Sequence, residues 1–304
     1  MIYGVIDIGS NTIRLNIYTC QENNLKSLLS KKTTAGLAGY VKNGIMSEKG
    51  ISTACEILRD YKSILDNFGI ENVYVFATAS LRNIINSDEV VRNIQECTGF
   101  FIDVISGAEE ATLDFIGASN FLNVDSGILV DIGGGSTELA VYENAVLKSA
   151  TSIPIGSLSM FTKHVSKLIP KKEERLAMKE DILMELAKLG SNNQTHKVIC
   201  GVGGTVRATK KIYHDLHELD SSNDLQVNYI KDMLALFKKA DKSTLRRILR
   251  VVPDRIHTII PGMIILDTIA EYYGSEIIHI SGYGVREGYL YSKVLKEGEE
   301  HEQG

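Results

Sequence analysis

The chain has 304 residues, 44% hydrophobic and 23% charged, which is ordinary for a soluble globular protein, and its length predicts two domains at roughly 150 residues each. Four prolines against 26 glycines leave no proline-rich linker, and a net charge of −5 excludes a generally basic nucleic-acid binder. A polyanionic ligand would therefore need a local positive patch.

Cys20, Cys55, Cys97 and Cys200 form no CxxC pair and have no histidine at zinc spacing. They read as free structural thiols suited to a reducing cytosol. Met1 leads directly into an apolar run with no basic n-region, so a cytoplasmic chain without a signal peptide is expected. The most apolar stretch, 256–270, is interrupted by His257, Pro261, Gly262 and Asp267. It is shorter than the about 20 apolar residues that span a bilayer and predicts a buried helix.

In chain order, residues 5–18 predict a β-hairpin around Gly9-Ser10-Asn11-Thr12, with β-branched runs on either side of a small polar turn. A helix over 47–68, a strand over 73–78, a helix over 87–98, a strand over 101–105 and a helix from Ser106 follow. Residues 117–125 interrupt the patterning and place a domain boundary there, giving domains 1–120 and 121–304. The second half repeats the first. Asp131-Ile132-Gly133-Gly134-Gly135-Ser136-Thr137 lies over Asp7-Ile8-Gly9-Ser10-Asn11-Thr12-Ile13 at an offset of 124 residues (131 less 7), without a gap. A helix-rich stretch over 158–189, a strand over 198–200, a glycine turn, a long helical basic region, the apolar helix and a strand over 277–280 complete it. Alternating strands and helices in two duplicated halves predict an α/β protein.

Turns of glycine and small hydroxyl residues let several backbone N–H groups converge on an anion. The two hairpin loops have that composition. Cys200-Gly201-Val202-Gly203-Gly204-Thr205 and Ser281-Gly282-Tyr283-Gly284 follow strands and open helices, which places helix N-termini at the turns. Neither the GxxxxGK[ST] nor the GxGxxG signature is present, so a site between the two halves is expected. Asp7 and Asp131 end their strands at the mouths of the loops, where carboxylates suit a hard divalent cation. Glu138 on the returning strand can join them.

These residues resemble the exopolyphosphatase/guanosine pentaphosphate phosphohydrolase (Ppx/GppA) family of the actin-like superfamily. The resemblance rests on the first hairpin through Arg14-Leu15, Ala77-Thr78-Ala79-Ser80-Leu81-Arg82, Ile105-Ser106-Gly107-Ala108-Glu109-Glu110-Ala111, and the Asp131–Glu138 segment. Gly201-Val202-Gly203-Gly204-Thr205 and Arg286-Glu287-Gly288 extend it to the C-terminal end. It implies two actin-like (ribonuclease H-like, ASKHA) domains about an interdomain cleft, with the C-terminal helix able to pack back on the first. It further implies hydrolysis of phosphoanhydride bonds of polyphosphate, or of a guanosine pentaphosphate, assisted by Mg²⁺. Glu110 would activate the water and Arg82 would assist. Gly9, Ser10, Asn11, Thr12, Arg14, Gly133, Gly134, Gly135, Ser136, Thr137, Gly203, Gly204 and Thr205 would hold phosphates. Asp131, Glu138 and Asp7 would hold the cation. Partners in this reading are the phosphate substrate alone, neither nucleic acid nor membrane, with a homodimer left open.

The residues alone also allow duller roles. Ser106 and Glu109 make a capping box, one turn-ending aspartate can simply cap its turn, and Arg82 can be a surface arginine. Four features depart from the family pattern, the mildest being Thr12 where a serine is usual, which keeps the hydroxyl. Thr34-Ala35-Gly36-Leu37 stands where an arginine-leucine-glycine run is usual, Arg255-Ile256-His257 where arginine, small residue and aspartate are usual, and the C-terminal HD-type domain of longer members is lacking. Lys238, Lys239, Lys242, Arg246, Arg247, Arg250 and Arg255 recur at spacings that put Lys239, Lys242, Arg246 and Arg250 along one helix face, either a solvated face or a track for a polyphosphate tail. An actin-like kinase or ATPase, and a non-catalytic alarmone binder that would not need Glu110, are the rival functions.

Overall fold

The computed structural model describes residues 1–21, 24–119, 125–190, 194–217, 224–237 and 242–295. Residues 1–107 form one compact unit and Ala108–Lys296 a second.

In the first unit, strands β1 (Ile2–Ile8), β2 (Thr12–Gln21) and β3 (Asn24–Thr34) form an antiparallel meander. After it come the two-residue strands β4 (Val41–Lys42) and β5 (Ile45–Met46), helix α1 (Glu48–Asn67), β6 (Val73–Ala77), the short α2 (Ala79–Arg82), α3 (Ser87–Thr98) and β7 (Ile102–Val104). The main sheet has the order β3-β2-β1-β6-β7, with β6 parallel to β1 and β7 parallel to β6. Ile6, Ile8, Ile13, Leu15 and Ile17 enter the core with Ile51, Ala54, Leu58 and Leu65 of α1 and Val90 and Ile94 of α3. Each fully buried aliphatic side chain contributes roughly 1.5–3 kcal/mol. The two-residue period of a strand puts Asp7 and its cross-strand neighbour Arg14 on the opposite face.

The second unit begins with α4 (Gly107–Ser119), followed by the meander β8 (Gly127–Ile132), β9 (Thr137–Glu143) and β10 (Val146–Ile153). Helices α5 (Ser157–His164) and α6 (Lys172–Ala187), strand β11 (Val198–Val202), α7 (Gly203–His217), β12 (Asp224–Gln226), α8 (Val227–Leu236), α9 (Lys242–Val251), α10 (Ile259–Tyr272), β13 (Ile277–Ile280) and α11 (Val285–Tyr289) follow. The sheet order is β10-β9-β8-β11-β13-β12. Ile128, Val130, Ile132 and Leu139 face a large core with α6, α7, α8 and α10. Leu129, Ala140, Tyr142, Cys200 and Val202 face the other way, against Ala111 and Ala118 of α4. Helix α11 packs on α4 backbone to backbone: a Cβ on Gly288 would stand 1.8 Å from the Leu113 carbonyl oxygen.

The duplication is visible as geometry. Gly9 N–H donates to the Thr12 carbonyl at 3.0 Å, and Gly133 N–H donates to the Ser136 carbonyl at 2.9 Å, each pair separated from the other by the same offset. Both hairpins carry a third strand, β3 and β10, that the sequence pattern did not reveal. The lysines and serines of β3 leave it largely exposed, so it lacks the apolar alternation that marks a half-buried strand. Helix α10 is the buried helix expected over 256–270. Among the described residues, no helix is long and apolar enough to cross a membrane.

The reading of four free thiols is corrected for two of them. Cys55 of α1 and Cys97 of α3 form a disulfide with a Cα–Cα distance of 6.3 Å, and only Cys20 and Cys200 are free. Spacing could not show this, because the pairing follows from how α1 packs on α3. The inference from free thiols to a reducing compartment falls with it.

Candidate functional site

In the first unit, the phosphate-loop candidates Gly9, Ser10, Asn11 and Thr12 join β1 to β2. Residues of the aberrant 34–37 run close on this loop: Ala35 and Gly36 N–H both donate to the Asn11 carbonyl, at 3.0 and 2.9 Å, and Ala38 N–H donates to Ser10 at 2.9 Å. The run thus keeps its support of the loop backbone although it carries no arginine. The Thr78–Arg82 turn is tied to the end of β1, with Ser80 Oγ donating to the Ile8 carbonyl at 2.5 Å. Arg82 Nη1 donates to the Ile105 carbonyl at 3.1 Å.

The second unit gathers charge more densely. Asp131 and Glu138 are direct cross-strand partners on β8 and β9. They share the face of Leu129 and Ala140, onto which α4 packs. Glu110 and Asp114 are one helical turn apart on α4 and so lie on one side of it. Glu138 is 1% exposed, and its Oε1 accepts hydrogen bonds from Ser136 Oγ at 2.7 Å and Ser152 Oγ at 2.8 Å. Gly203 brings the third glycine turn against Asp131. Its φ is +77°, and an ideal Cβ there would meet Asp131 Oδ1 at 1.9 Å, so glycine is required on both counts.

Asp114 was not singled out from the sequence. It is fully buried, and neither carboxylate oxygen has a well-aligned hydrogen bond. Burial first, then the nearby charges of Asp131, Glu110 and Glu138, push its pKa well above the ordinary carboxylate value; the Val285 backbone amide opposes this more weakly. The folded protein therefore holds a proton that the unfolded chain releases above its own carboxylate pKa. Stability accordingly falls as pH rises past the ordinary carboxylate range. Asp114→Asn should remove that slope. The variant should match the parent near pH 4 and exceed it at pH 8, because only the parent must ionise or keep a buried proton as pH rises. Denaturant melts at the two pH values check this, and an unchanged slope would contradict it.

Thr137 and Thr205 are buried, and their hydroxyls donate to the carbonyls of Ile155 at 2.5 Å and Ile132 at 2.8 Å. Their side-chain protons support the loops, which leaves the backbone N–H groups as their contribution to an anion. The 133–135 loop is braced from below by α5: Ser157 N–H donates to the Gly133 carbonyl at 2.9 Å, and the N–H groups of Leu158 and Ser159 both donate to the Gly134 carbonyl at 3.0 Å.

Lys242, Arg246 and Arg250 are exposed along one side of α9, at the i, i+4 spacing expected of them. Lys238 and Lys239 lie outside the described residues. Arg247 and Arg250 both grip Asp215, with Nη–Oδ distances of 2.7 Å each. Arg255 turns to the third glycine turn instead: its Nη2 is 2.0 Å from the ideal Cβ position of Gly204, and its Nη1 donates to Thr205 Oγ1 at 3.4 Å. His257, which departs from the family pattern, stacks on Phe161 with ring centroids 5.0 Å apart. Among the described residues, no three His, Cys, Asp or Glu side chains stand ready-grouped around a metal position.

The model of the Ppx/GppA phosphatase family matches residues 16–297. A bifunctional 3-dehydroquinate synthase/phosphatase of Fusobacterium nucleatum is 30% identical over 295 residues, covering 91% of this chain and 44% of that protein. The chain thus spans less than half the length of that relative. Exopolyphosphatase 1 of Mycobacterium leprae is 24% identical over 314 residues, covering 98% of this chain and 91% of that protein. The crystal structure of the Aquifex aeolicus Ppx/GppA family member superimposes with a TM-score of 0.81 at 27% identity, covering 98% of each chain.

Proposed function

Because the chain belongs to the Ppx/GppA phosphatase family, we propose that it hydrolyses phosphoanhydride bonds, releasing terminal phosphate from inorganic polyphosphate, with guanosine pentaphosphate as the alternative substrate. The observation that carries this reading is the cross-strand pair Asp131 and Glu138, on the sheet face that α4 with Glu110 packs against, beside the glycine turns at 133–135 and 203–204. Phosphoryl transfer asks a protein mainly for positioning and charge neutralisation. Glu110, on the first turn of α4, takes the proton of the attacking water, a step that one carboxylate within reach can serve. The backbone N–H groups of the glycine turns hold phosphate oxygens. Gly9 to Thr12, Arg14 and Arg82 are the phosphate-contact candidates of the first unit by itself.

Asp131 and Glu138 suit a hard divalent cation by their oxygen donors, and Asp7 is the corresponding carboxylate of the first unit. Mg²⁺ is the cation proposed, and it would neutralise charge on the phosphate oxygens. Asp131→Asn and Glu138→Gln should each raise the Mg²⁺ concentration needed for half-maximal rate at least about tenfold, as loss of a metal-site group commonly does. Titration of the rate with Mg²⁺ tests this, and full activity of the parent in excess chelator would remove the metal role. Cytoplasmic placement belongs to the same reading and is tested by cell fractionation.

A polyphosphate track over α9 is now confined to Lys242 and Arg246, since Arg247 and Arg250 are engaged by Asp215. Changing both to Ala should weaken long-chain polyphosphate more than a short oligophosphate and flatten its salt dependence. Equal KM values for the variant and the parent on long chains would make this stretch ordinary surface.

A further inference from the structure

One cavity of the second unit lies away from the glycine turns, and the proposed chemistry makes no use of it. Its volume is about 370 Å³, and Tyr142, Glu143, Thr195 and His196 are among its lining residues. It sits where β8 begins, β9 ends and the chain enters β11, whereas the turns at 133–135 and 203–204 stand at the other ends of these strands. Tyr142 and His196 are only 4% and 9% exposed, yet the Tyr142 hydroxyl and His196 Nε2 have no hydrogen-bond partner. Both side chains are held from behind. Tyr142 lies against its cross-strand partner Gly127, where an ideal Cβ would stand 3.0 Å from the phenol oxygen, so the glycine makes room for the ring. His196 N–H donates to the Tyr273 carbonyl at 2.9 Å, and the His196 carbonyl accepts from Ser275 Oγ at 2.6 Å. Burial, opposed by the Glu143 carboxylate, lowers the His196 pKa. At neutral pH the ring is therefore uncharged, with one donating and one accepting nitrogen. A buried polar group without a partner costs free energy that an incoming partner recovers. Glu143 carries the one formal charge among the described lining residues, with no lysine or arginine beside it.

We propose that this cavity binds a small hydroxylated amine, such as an amino sugar, with its ammonium group on Glu143 and its hydroxyls bonded to Tyr142 and His196. The charge selects the amine, because a single carboxylate attracts a cation and repels the phosphate oxyanions that suit the glycine turns. The unmatched phenol and imidazole select hydroxyls, since a hydroxyl both donates and accepts. The volume falls within the roughly 300–1,000 Å³ of small-molecule sites. The proposal does not rest on the hydrolase function.

The test titrates D-glucosamine into the parent, Tyr142→Phe and Glu143→Gln, followed by calorimetry and by the NMR signals of the His196 imidazole. D-glucose and inorganic phosphate are the comparison probes. Glucosamine is expected to bind the parent and shift the His196 signals, glucose to bind at least about tenfold more weakly, and phosphate to leave the signals unmoved. Tyr142→Phe removes a hydroxyl that has no partner in the fold, so it should melt no lower than the parent while binding glucosamine about fivefold more weakly, the effect of one lost hydrogen bond. Glu143→Gln should bring glucosamine down to the affinity for glucose. Glu143 is exposed, so this variant carries the comparison if Tyr142→Phe fails to fold. Absence of glucosamine binding to the parent overturns the proposal, as does parental affinity in both variants. Equal affinity for glucose and glucosamine overturns the amine assignment, and phosphate shifting the His196 signals would make the cavity an anion site and overturn it as well.

Discussion

Glu110→Gln should fold with normal stability and bind inorganic phosphate with the parent's affinity, yet turn over roughly 10²–10⁴-fold more slowly, the loss typical of a general base. The substitution keeps size and hydrogen-bonding capacity and removes only the ability to accept a proton. Glu110 is buried on the first turn of α4, in the same carboxylate group as Asp131 and Glu138. Its neighbour Glu109 shares the acidic first turn without sharing that burial. Glu109→Gln should therefore affect mainly helix stability, by about 1 kcal/mol or less. Single-turnover rates of the two variants separate these roles. Near-parental turnover in Glu110→Gln would take the base away from this residue.

Gly203→Ala should be nearly as damaging by a different route. A residue with a side chain at φ +77° carries backbone strain of order 1–3 kcal/mol. The added methyl would also occupy the place of the Asp131 carboxylate, 1.9 Å away. Asp131 cannot stay in its present rotamer beside it. The variant is expected to lose about 3 kcal/mol or more of stability and to need far more Mg²⁺ for any residual rate. Chemical denaturation together with a Mg²⁺ titration measures both effects. Parental stability and cation dependence would show that the turn accommodates a side chain there and that the close approach to Asp131 is dispensable.

Much of this site was legible in the sequence because it resides in turns whose composition is dictated by backbone geometry. Gly133 is visible as a glycine between a strand and its return, Gly203 as one between a strand and a helix, and Asp131 as the carboxylate ending a strand. The duplicated hairpins were legible for the same reason, since a 124-residue offset preserves both the turn and the alternating runs. Asp114 was not legible. It is one polar residue on a helix, and nothing in its sequence neighbourhood distinguishes a buried or half-buried group from a solvated one. Its importance follows from the packing of α4 against the sheet. The disulfide between Cys55 and Cys97 escaped for a similar reason. The spacing of Lys242, Arg246 and Arg250 was enough to put them along one side of α9, but it could not show that Asp215 engages Arg247 and Arg250 or that Arg255 lies at the third glycine turn.

The central claim is tested most directly by incubating the purified chain with Mg²⁺ and, separately, long-chain polyphosphate, guanosine pentaphosphate and ATP, and measuring the inorganic phosphate released. The account predicts steady release from polyphosphate or from guanosine pentaphosphate, abolished by chelator, with ATP consumed far more slowly than the preferred substrate. Release from ATP alone, or binding of the guanosine nucleotide without turnover of any of the three, would contradict it.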